Sequence, residues 1–292
     1  MALHPDAATL SVQRLGPPDL VELFGFLDRD SVLNVYVLAL TLRDALARPQ
    51  EEVWAARRGA ELAAVVHLGG PSGAVLPVGE DEAALDRLAD ETLRRLPILP
   101  RRIQVVGTRV AVDPFVRRFA AAGIQPRLHR RQIYMALEAA RLPTFERLPE
   151  LRVATAADYN ALFESGALLR AEELEEDPRL TDAIGYARRV GDEARDGSTW
   201  VWMESGTLRF RASVSALTAD AAQIAGVYTP APLRNRGFAR RALSELCLRL
   251  VGRTRGVCLF VNDFNAPALA LYRRMGFVET AEWASAFYDA GG

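Results

Sequence analysis

The sequence predicts an α+β protein made of two successive domains with the same element order. Three observations lead there. Stretches of alternating apolar residues and stretches of 3.6-residue apolar period follow one another along the whole chain, which separates strands from helices. The order strand, two helices, three strands, helix, strand, helix, strand is read twice. A local echo accompanies it: Phe115-Val116-Arg117-Arg118-Phe119 leads to Gly123-Ile124 as Leu271-Tyr272-Arg273-Arg274-Met275 leads to Gly276-Phe277. At 292 residues, half of them apolar, the chain suits one large domain or two ordinary ones.

In the first half, Thr9 to Arg14 alternates as an opening strand, and Pro17-Pro18-Asp19 starts a helix through Leu27. Ser31 is placed to cap a second helix reaching about Leu46. Val53–Arg57, Glu61–Leu68 and Ala74–Val78 read as strands, the second ended by Gly69-Gly70-Pro71. Gly79-Glu80-Asp81-Glu82 introduces a helix to about Leu96. Ile103–Gly107 is a strand, Pro114–Ala122 a helix and Arg131–Ala136 a strand. The first domain is drawn as 1–142, with 143–150, holding Pro143 and Pro149, as linker and 151–292 as the second domain.

In the second half, Leu151–Ala154 is a strand, and Thr155 can cap a helix running towards Leu174. Asp177-Pro178 interrupts it, and Leu180–Val190 continues as a helix. Trp200–Glu204, Thr207–Leu217 and Ala222–Thr229 are strands joined by turns at Ser205-Gly206 and Ala219-Asp220. A helix from near Gly237 to Gly252, a buried strand Val257–Val261, a helix Ala266–Met275 and a strand Phe277–Tyr288 complete the chain.

Composition removes several functions. Formal net charge is −1, so there is no basic footprint for nucleic acid. The longest apolar stretch, Val32 to Leu42, is too short to span a bilayer, and no signal peptide is apparent. Cys247 and Cys258 read as buried thiols, and His4, His67 and His129 lack metal-ligand spacing. These features predict a cytoplasmic protein without a metal, a membrane contact or a nucleic-acid partner. The chain has no lysine, which excludes a P-loop and the Schiff base of pyridoxal phosphate enzymes.

The stretch Gln223 to Ala242, QIAGVYTPAPLRNRGFARRA, points to an anion site. Pro230 and Pro232 end the strand, and Ala239, Leu243, Leu246 and Leu250 recur at helical spacing. The result is a strand, a turn flanked by arginines, and a helix N-terminus whose N–H groups and partial positive charge face outward, a construction that binds phosphate. Its Arg234, Gly237 and Ala239 resemble the Arg-x-x-Gly-x-Gly/Ala signature of the GCN5-related N-acetyltransferases (GNAT). Downstream, Asn265, Ala268, Tyr272, Gly276 and Phe277 match that family's second motif, Asn-x-x-Ala-x-x-x-Tyr followed by Gly-Phe. The resemblance covers roughly Leu151 to Gly292. It implies, for each half, a mixed, mostly antiparallel sheet flanked by helices, in a tandem two-domain form similar to mycothiol synthase and related acetyltransferases.

The resemblance further implies acetyl-coenzyme A as cosubstrate and direct acetyl transfer to a small-molecule or peptide amine. The pyrophosphate would lie on Arg234, Asn235, Arg236, Gly237, Phe238, Ala239 and Arg240, largely on main-chain N–H groups. The pantetheine arm would enter between splayed strands ending at Thr229 and Val261, pairing with the backbone of Val227 and Thr229 near Tyr228, and meeting Asn262, Asn265 and Ala268. Tyr272, two turns after Asn265 on one helix face, would serve the departing thiolate. A phenol near pKa 10 protonating a thiolate near 8.5 is uphill by roughly 2 kcal/mol, so its contribution is bounded. Glu173, Glu175, Glu204 and Asp263 are candidate bases by position, beside a water chain. The region Glu164 to Val190 is expected to wall the acceptor pocket.

The first half lacks these features. Glu80, Asp81 and Glu82 stand where the arginine turn would be, and Val116 or Phe119 where Tyr272 would be. It reads as a degenerate acetyltransferase-like domain. The competing reading of the chain is a non-catalytic acetyl-coenzyme A or coenzyme A sensor or assembly subunit. Acceptor, acyl length and oligomeric state are left open.

Overall fold

The computed structural model describes residues 9–69 and 73–289. The chain divides into two compact units. One comprises Met1–Tyr134, Asn262–Phe264 and Thr280–Gly292; the other comprises Met135–Val261 and Asn265–Glu279. His4 and the Gly70-Pro71 turn lie outside the described residues.

The first unit contains β1 (Leu10–Leu15), α1 (Leu20–Leu27), α2 (Val35–Asp44), β2 (Glu51–Arg58), β3 (Glu61–Gly69) and β4 (Ala74–Gly79). There follow α3 (Glu82–Arg95), β5 (Arg102–Thr108), α4 (Arg109–Ala121) and most of β6 (Leu128–Glu138). Its sheet runs β1-β2-β3-β4-β5, then β12 (Val278–Asp289). All pairs are antiparallel except the parallel β4–β5. One face carries α3 and α4 over Val66, Leu85, Leu88, Val105 and Phe115. The other carries α1 and α2 over Leu23, Leu27, Val53 and Val65. From β12, Ala284, Ala286 and Tyr288 enter the core, with the Tyr288 ring 5.1 Å from that of Phe119.

The second unit contains β7 (Arg152–Val153), α5 (Tyr159–Leu174), α6 (Pro178–Thr181), α7 (Ala183–Asp196), β8 (Thr199–Glu204) and β9 (Thr207–Leu217). β10 (Ala221–Tyr228), α8 (Phe238–Val251), β11 (Gly256–Asn262) and α9 (Ala266–Arg274) follow. Its strands run β7-β8-β9-β10-β11, and the end of β6 lies beside β11. Again only one of the pairs between consecutive strands, β10–β11, is parallel. The two units thus repeat one topology; the first takes most of β12 from the second half of the sequence, and the second takes the end of β6 from the first. Thr155 and Asp158 form the expected capping box ahead of α5.

Three boundaries differ from the sequence expectations. Ser31 does not cap α2. The stronger acceptor Asp30 takes the Leu33 N–H at 2.9 Å, a 3-10 turn fills Asp28–Asp30, and Asn34 occupies the N-cap. Pro114 lies inside α4 rather than at its start, because Thr108 Oγ1 accepts from the Ala111 N–H at 3.3 Å and opens the helix earlier. The expected helix Leu180–Val190 is two elements: Asp182 accepts from the Gly185 N–H at 3.0 Å and starts α7 afresh, leaving Leu180 in the single turn of α6.

Candidate active site

β10 and β11 pair only from Ala221–Gln223 to Gly256–Cys258. Beyond that register β10 continues to Tyr228 and β11 to Asn262, so the strands diverge and free main-chain groups on both. Two features keep them apart. Gly226 adopts φ 61°, and the β9–β10 register slips between Ala225 and Tyr228, placing one extra residue in β10. Such a bulge bends the strand and turns N–H groups out of the ladder. On β11, Cys258 Sγ donates to Ala222 O at 3.6 Å, at the last paired step.

After Tyr228 the chain makes one 3-10 turn, Ala231–Leu233, and then the arginine turn. Asn235 at φ 59° and Gly237 at φ 84° both sit in the left-handed region, and α8 begins at Phe238. Gly237 is the N-cap, and no side chain caps the helix. The first N–H groups of α8, from Phe238, Ala239 and Arg240, have no intrahelical acceptor. A Cβ built on Gly237 would meet nothing within 4 Å, so the approach to those donors is open.

The arginines divide their work. Arg234 turns back on its own loop. Its Nε donates to Thr229 O at 3.1 Å, its guanidinium lies 5.6 Å from the Tyr228 ring centroid, and Nη2 reaches both Glu172 oxygens at 2.8 and 2.9 Å. Arg236 lies over the Phe238 ring at 5.5 Å, and Arg240 is exposed. Arg234 therefore fixes the turn, and the main-chain donors of α8 stay open, with Arg236 and Arg240 beside them. Thr229 is buried, and its Oγ1 has no hydrogen-bond partner. Tyr228 is buried beside it, and Val227 is half-buried.

On α9, Asn265 Oδ1 accepts from the Ala268 N–H at 3.2 Å, which leaves the amide Nδ2 available to donate. Tyr272 is buried, its ring 5.7 Å from that of Phe277. Burial pushes its phenol well above the usual range, and the negative fields of Glu173 and Cys247 act in the same direction. Glu173, one residue past Glu172 near the end of α5, is exposed as a residue, while desolvation of its carboxyl first and Glu172 second raise it to about 7. The structure thus brings α5, the arginine turn, β10 and Tyr272 together. Asn262 and Asp263 belong to the first unit, where Gln132 Nε2 donates to Asn262 Oδ1 at 3.2 Å and the Asp263 N–H donates to Arg131 O at 3.1 Å. Glu204 is exposed and paired with Arg209 at 2.8 Å, and Glu175 is exposed at φ 56°.

Two groups were not anticipated. Glu172 holds Arg234 of the turn at 2.8 Å, a pairing across 62 residues that no local pattern marks. Arg211, directly opposite Tyr228 on β9, is buried against Glu193 of α7 and donates to Leu162 O at 3.2 Å. Glu193 also accepts from Thr199 Oγ1 at 2.7 Å, and Thr199 and Ser213 hydroxyls are 2.7 Å apart. This buried network ties α5 and α7 to the sheet beside the bulge. Its only sequence signal is a charge between Phe210 and Ala212 in an apolar strand.

Residues 154–277 match the family model described as Acetyltransferase (GNAT) family. A GCN5-related N-acetyltransferase from Sphaerobacter thermophilus is similar over 99% of this chain and 98% of its own, at 19% identity and TM-score 0.60. A tandem GNAT protein from the clavulanic acid biosynthesis pathway is similar over 97% and 99%, at 15% identity and TM-score 0.54. A Drosophila protein is similar over 94% and 98%, at 14% identity and TM-score 0.65. At these identities the solved structures speak to the fold. A search of curated proteins finds no match.

Proposed function

We propose, from the premise that this chain is an acyltransferase belonging through residues 154–277 to the GNAT family, that it transfers acetyl from acetyl-coenzyme A directly to an amine. The observation that carries this reading is the pairing of a strand opening with an uncapped helix N-terminus: β10 and β11 diverge beyond Gln223 and Cys258, and α8 begins bare at Gly237. The residues present fit the cosubstrate. The first N–H groups of α8, with Asn235 to Arg240 around them, suit a pyrophosphate. The unpartnered Thr229 Oγ1 and the freed backbone of Val227 and Thr229 suit the amides of a pantetheine arm, laid in like an added strand. Asn265 Nδ2 and the α9 face carrying Ala268 complete that wall; Asn262 belongs to the other unit and is not part of it.

When bound, the thioester supplies an electrophilic carbonyl and a thiolate leaving group. The residues of the chain do the rest. N–H groups near Tyr228, turned out by the Gly226 bulge, are donors for the carbonyl oxygen. Tyr272 stays protonated across the physiological range, and its raised pKa favours hydrogen-bond donation to the departing sulfur over full transfer. Glu173 is the candidate base: with its carboxyl near 7, it is poised to take a proton from an ammonium at neutral pH. The α5 to α7 region that carries it is the proposed acceptor wall. The protein is proposed to act in the cytoplasm, without a metal.

Calorimetric titration of acetyl-coenzyme A, followed by thioester consumption with a panel of amines, tests this. Binding that is lost in Gly237→Glu, together with turnover, supports the reading. Binding without turnover on any amine makes the chain a coenzyme A sensor or assembly subunit. No binding by the folded parent overturns both.

A further inference from the structure

The second unit contains a buried charge that the proposed reaction has not used. Arg211 on β9 is 4% exposed and stands directly opposite Tyr228, at the end of the β10 bulge. A guanidinium is costly to bury unless its donors are answered. Both terminal nitrogens are answered, and from the two helices proposed to wall the acceptor. Nη1 donates to Leu162 O of α5 at 3.2 Å, and Nη2 donates to the Glu193 carboxylate of α7. Glu193 Oε1 is held in turn by the hydroxyls of Thr199 on β8, at 2.7 Å, and Ser213 on β9, at 3.3 Å. One ion pair therefore joins both helices to the strand that faces the bulge.

The bulge lies on this network. A Cβ on Gly226 would stand 3.8 Å from Ser213 Oγ, 3.9 Å from Arg211 Nη2 and 3.9 Å from Leu169 Cδ2 of α5. Gly166 lets α5 come this close: a Cβ there would lie 2.6 Å from the Tyr186 hydroxyl of α7 and 3.2 Å from Arg211 Nη1. The Tyr186 hydroxyl donates to Phe163 O at 2.6 Å, a second tie between the helices. The first unit gives the comparison. Its corresponding strands, β3 and β4, run from Ala64–Gly79 to Gly69–Ala74 with no slip of register. The bulge and the buried arginine opposite it therefore occur together, in the unit that carries the arginine turn.

Stability gives little reason for this charge. Arg211 Nε has no hydrogen-bond partner, and a buried ion pair can often be replaced by apolar side chains of similar volume without loss of stability. Acetyl transfer gives a reason. The amine yields a proton to the base, its nitrogen bonds to the thioester carbonyl carbon, and the C–S bond breaks to release the thiolate. The proposal puts the donors for the carbonyl oxygen at the bulge and the amine against α5 and α7, so the rate depends on how the two are set relative to each other. A misplacement of about 1 Å can slow such a step roughly a hundredfold. We infer that Arg211 is a positioning residue: with Glu193 it fixes the α5–α7 wall against the bulge and so sets the amine in line with the carbonyl. This rests on the acetyl-transfer reading of the same site.

The test compares the full chain with two variants. Arg211→Met with Glu193→Gln removes both charges at once, so that neither is left buried alone. Gly166→Ala keeps every charge and pushes the Tyr186 hydroxyl and Arg211 Nη1 away from α5. Each is read by acetyl-coenzyme A affinity in calorimetry, by melting temperature, and by kcat with an amine that the parent acetylates. The expected result is a fall in kcat of about tenfold to a hundredfold in both, with cofactor affinity unchanged and the melting temperature within a few degrees of the parent. A merely structural role would instead lower the melting temperature and leave kcat per folded molecule intact. Should the double variant not fold, Gly166→Ala decides alone. A folded variant with the parent's kcat, or one whose cofactor affinity falls in step with kcat, overturns the assignment. Failure of the acetyl-transfer reading is seen without any variant, as a parent that acetylates no amine, and it removes the assignment as well.

Discussion

At the scale of single residues, the proposed reaction rests on two titrating groups to which the proposal gives opposed tasks. Burial holds the Tyr272 phenol protonated, and desolvation first, with the Glu172 charge second, holds the Glu173 carboxyl near 7. Tyr272→Phe should slow turnover roughly tenfold to a thousandfold, about 1.4–4 kcal/mol of barrier, while leaving the acetyl-coenzyme A affinity from calorimetry unchanged; an unaltered rate removes the assignment. Glu173 predicts a pH profile. As the proposed base it acts in its carboxylate form, so kcat/KM should rise with pH through about 7. In Glu173→Gln that limb should vanish, and a limb that persists would move the base elsewhere. The same shift has a sign for stability. The folded state resists ionising Glu173, so its contribution worsens as pH rises from the ordinary carboxyl range to about 7 and is constant above. Glu173→Gln should therefore raise the melting temperature at pH 8 and not at pH 4, a stability gain at the cost of activity. Tyr272 and Asn265 could be picked out from the sequence because their spacing encodes one helix face. Glu172 could not be, because its partner Arg234 is 62 residues away and only the folded turn joins them.

At the scale of elements, the helix ends show what local sequence can and cannot specify. Gly123 and Gly276 close the two echoed helices, at φ 81° and 92°, as left-handed C-terminal glycines do. They differ in surroundings. A Cβ on Gly123 meets nothing within 4 Å, whereas one on Gly276 would lie 2.3 Å from Arg141 O. Gly123→Ala should cost about 1 kcal/mol, the left-handed penalty alone. Gly276→Ala should cost clearly more, read as a lower midpoint in urea, because backbone must move. The echo itself is legible from the sequence; the Arg141 contact comes from the chain between the two halves and is not. A second element-scale anchor is Glu245, fully buried on α8. It accepts from Arg147 at 2.7 Å, Arg249 at 2.8 Å and the Leu148 N–H at 3.2 Å. Arg147 first of all holds its carboxyl at about 2, below the ordinary 4.5. That stabilisation is complete above about 4.5 and is lost as pH falls towards 2. With Arg147 itself largely exposed, Glu245→Gln should cost about 1–3 kcal/mol at pH 7. Little of that difference should remain near pH 2, a convergence that acid unfolding curves will test.

At the scale of the whole molecule, element order is read correctly because strand and helix periods differ, but strand partnership is not. β6 and β12 each read as the last strand of their own half. Alternation fixes which face of a strand is apolar and says nothing about which sheet it joins. The same limit bears on how many cofactor sites the chain has, since both units contain the parallel pair that diverges. β4 and β5 pair only from Ala74–Val75 to Gln104–Val105, much as β10 and β11 do. A strand opening alone would therefore predict two sites. The helix that follows decides against it. At the start of α3, Asp81 Oδ1 accepts from the Ala84 N–H at 3.1 Å, and Oδ2 takes Arg58 at 2.6 Å. Glu82 stands in the first turn, paired with Arg117 at 2.8 Å. The donors that a pyrophosphate would need are already capped by the protein's own carboxylate, and a second anion there would meet like charge. At α8 the corresponding donors are bare. Calorimetry of the full chain should then give one acetyl-coenzyme A per chain. Gly237→Glu, which places a carboxylate at α8 as Asp81 does at α3, should abolish binding, at a cost to stability of only about 1–2 kcal/mol from the left-handed backbone. A stoichiometry of two, or one site that survives in Gly237→Glu, would return the cofactor to the first unit and reverse the division of labour between the halves.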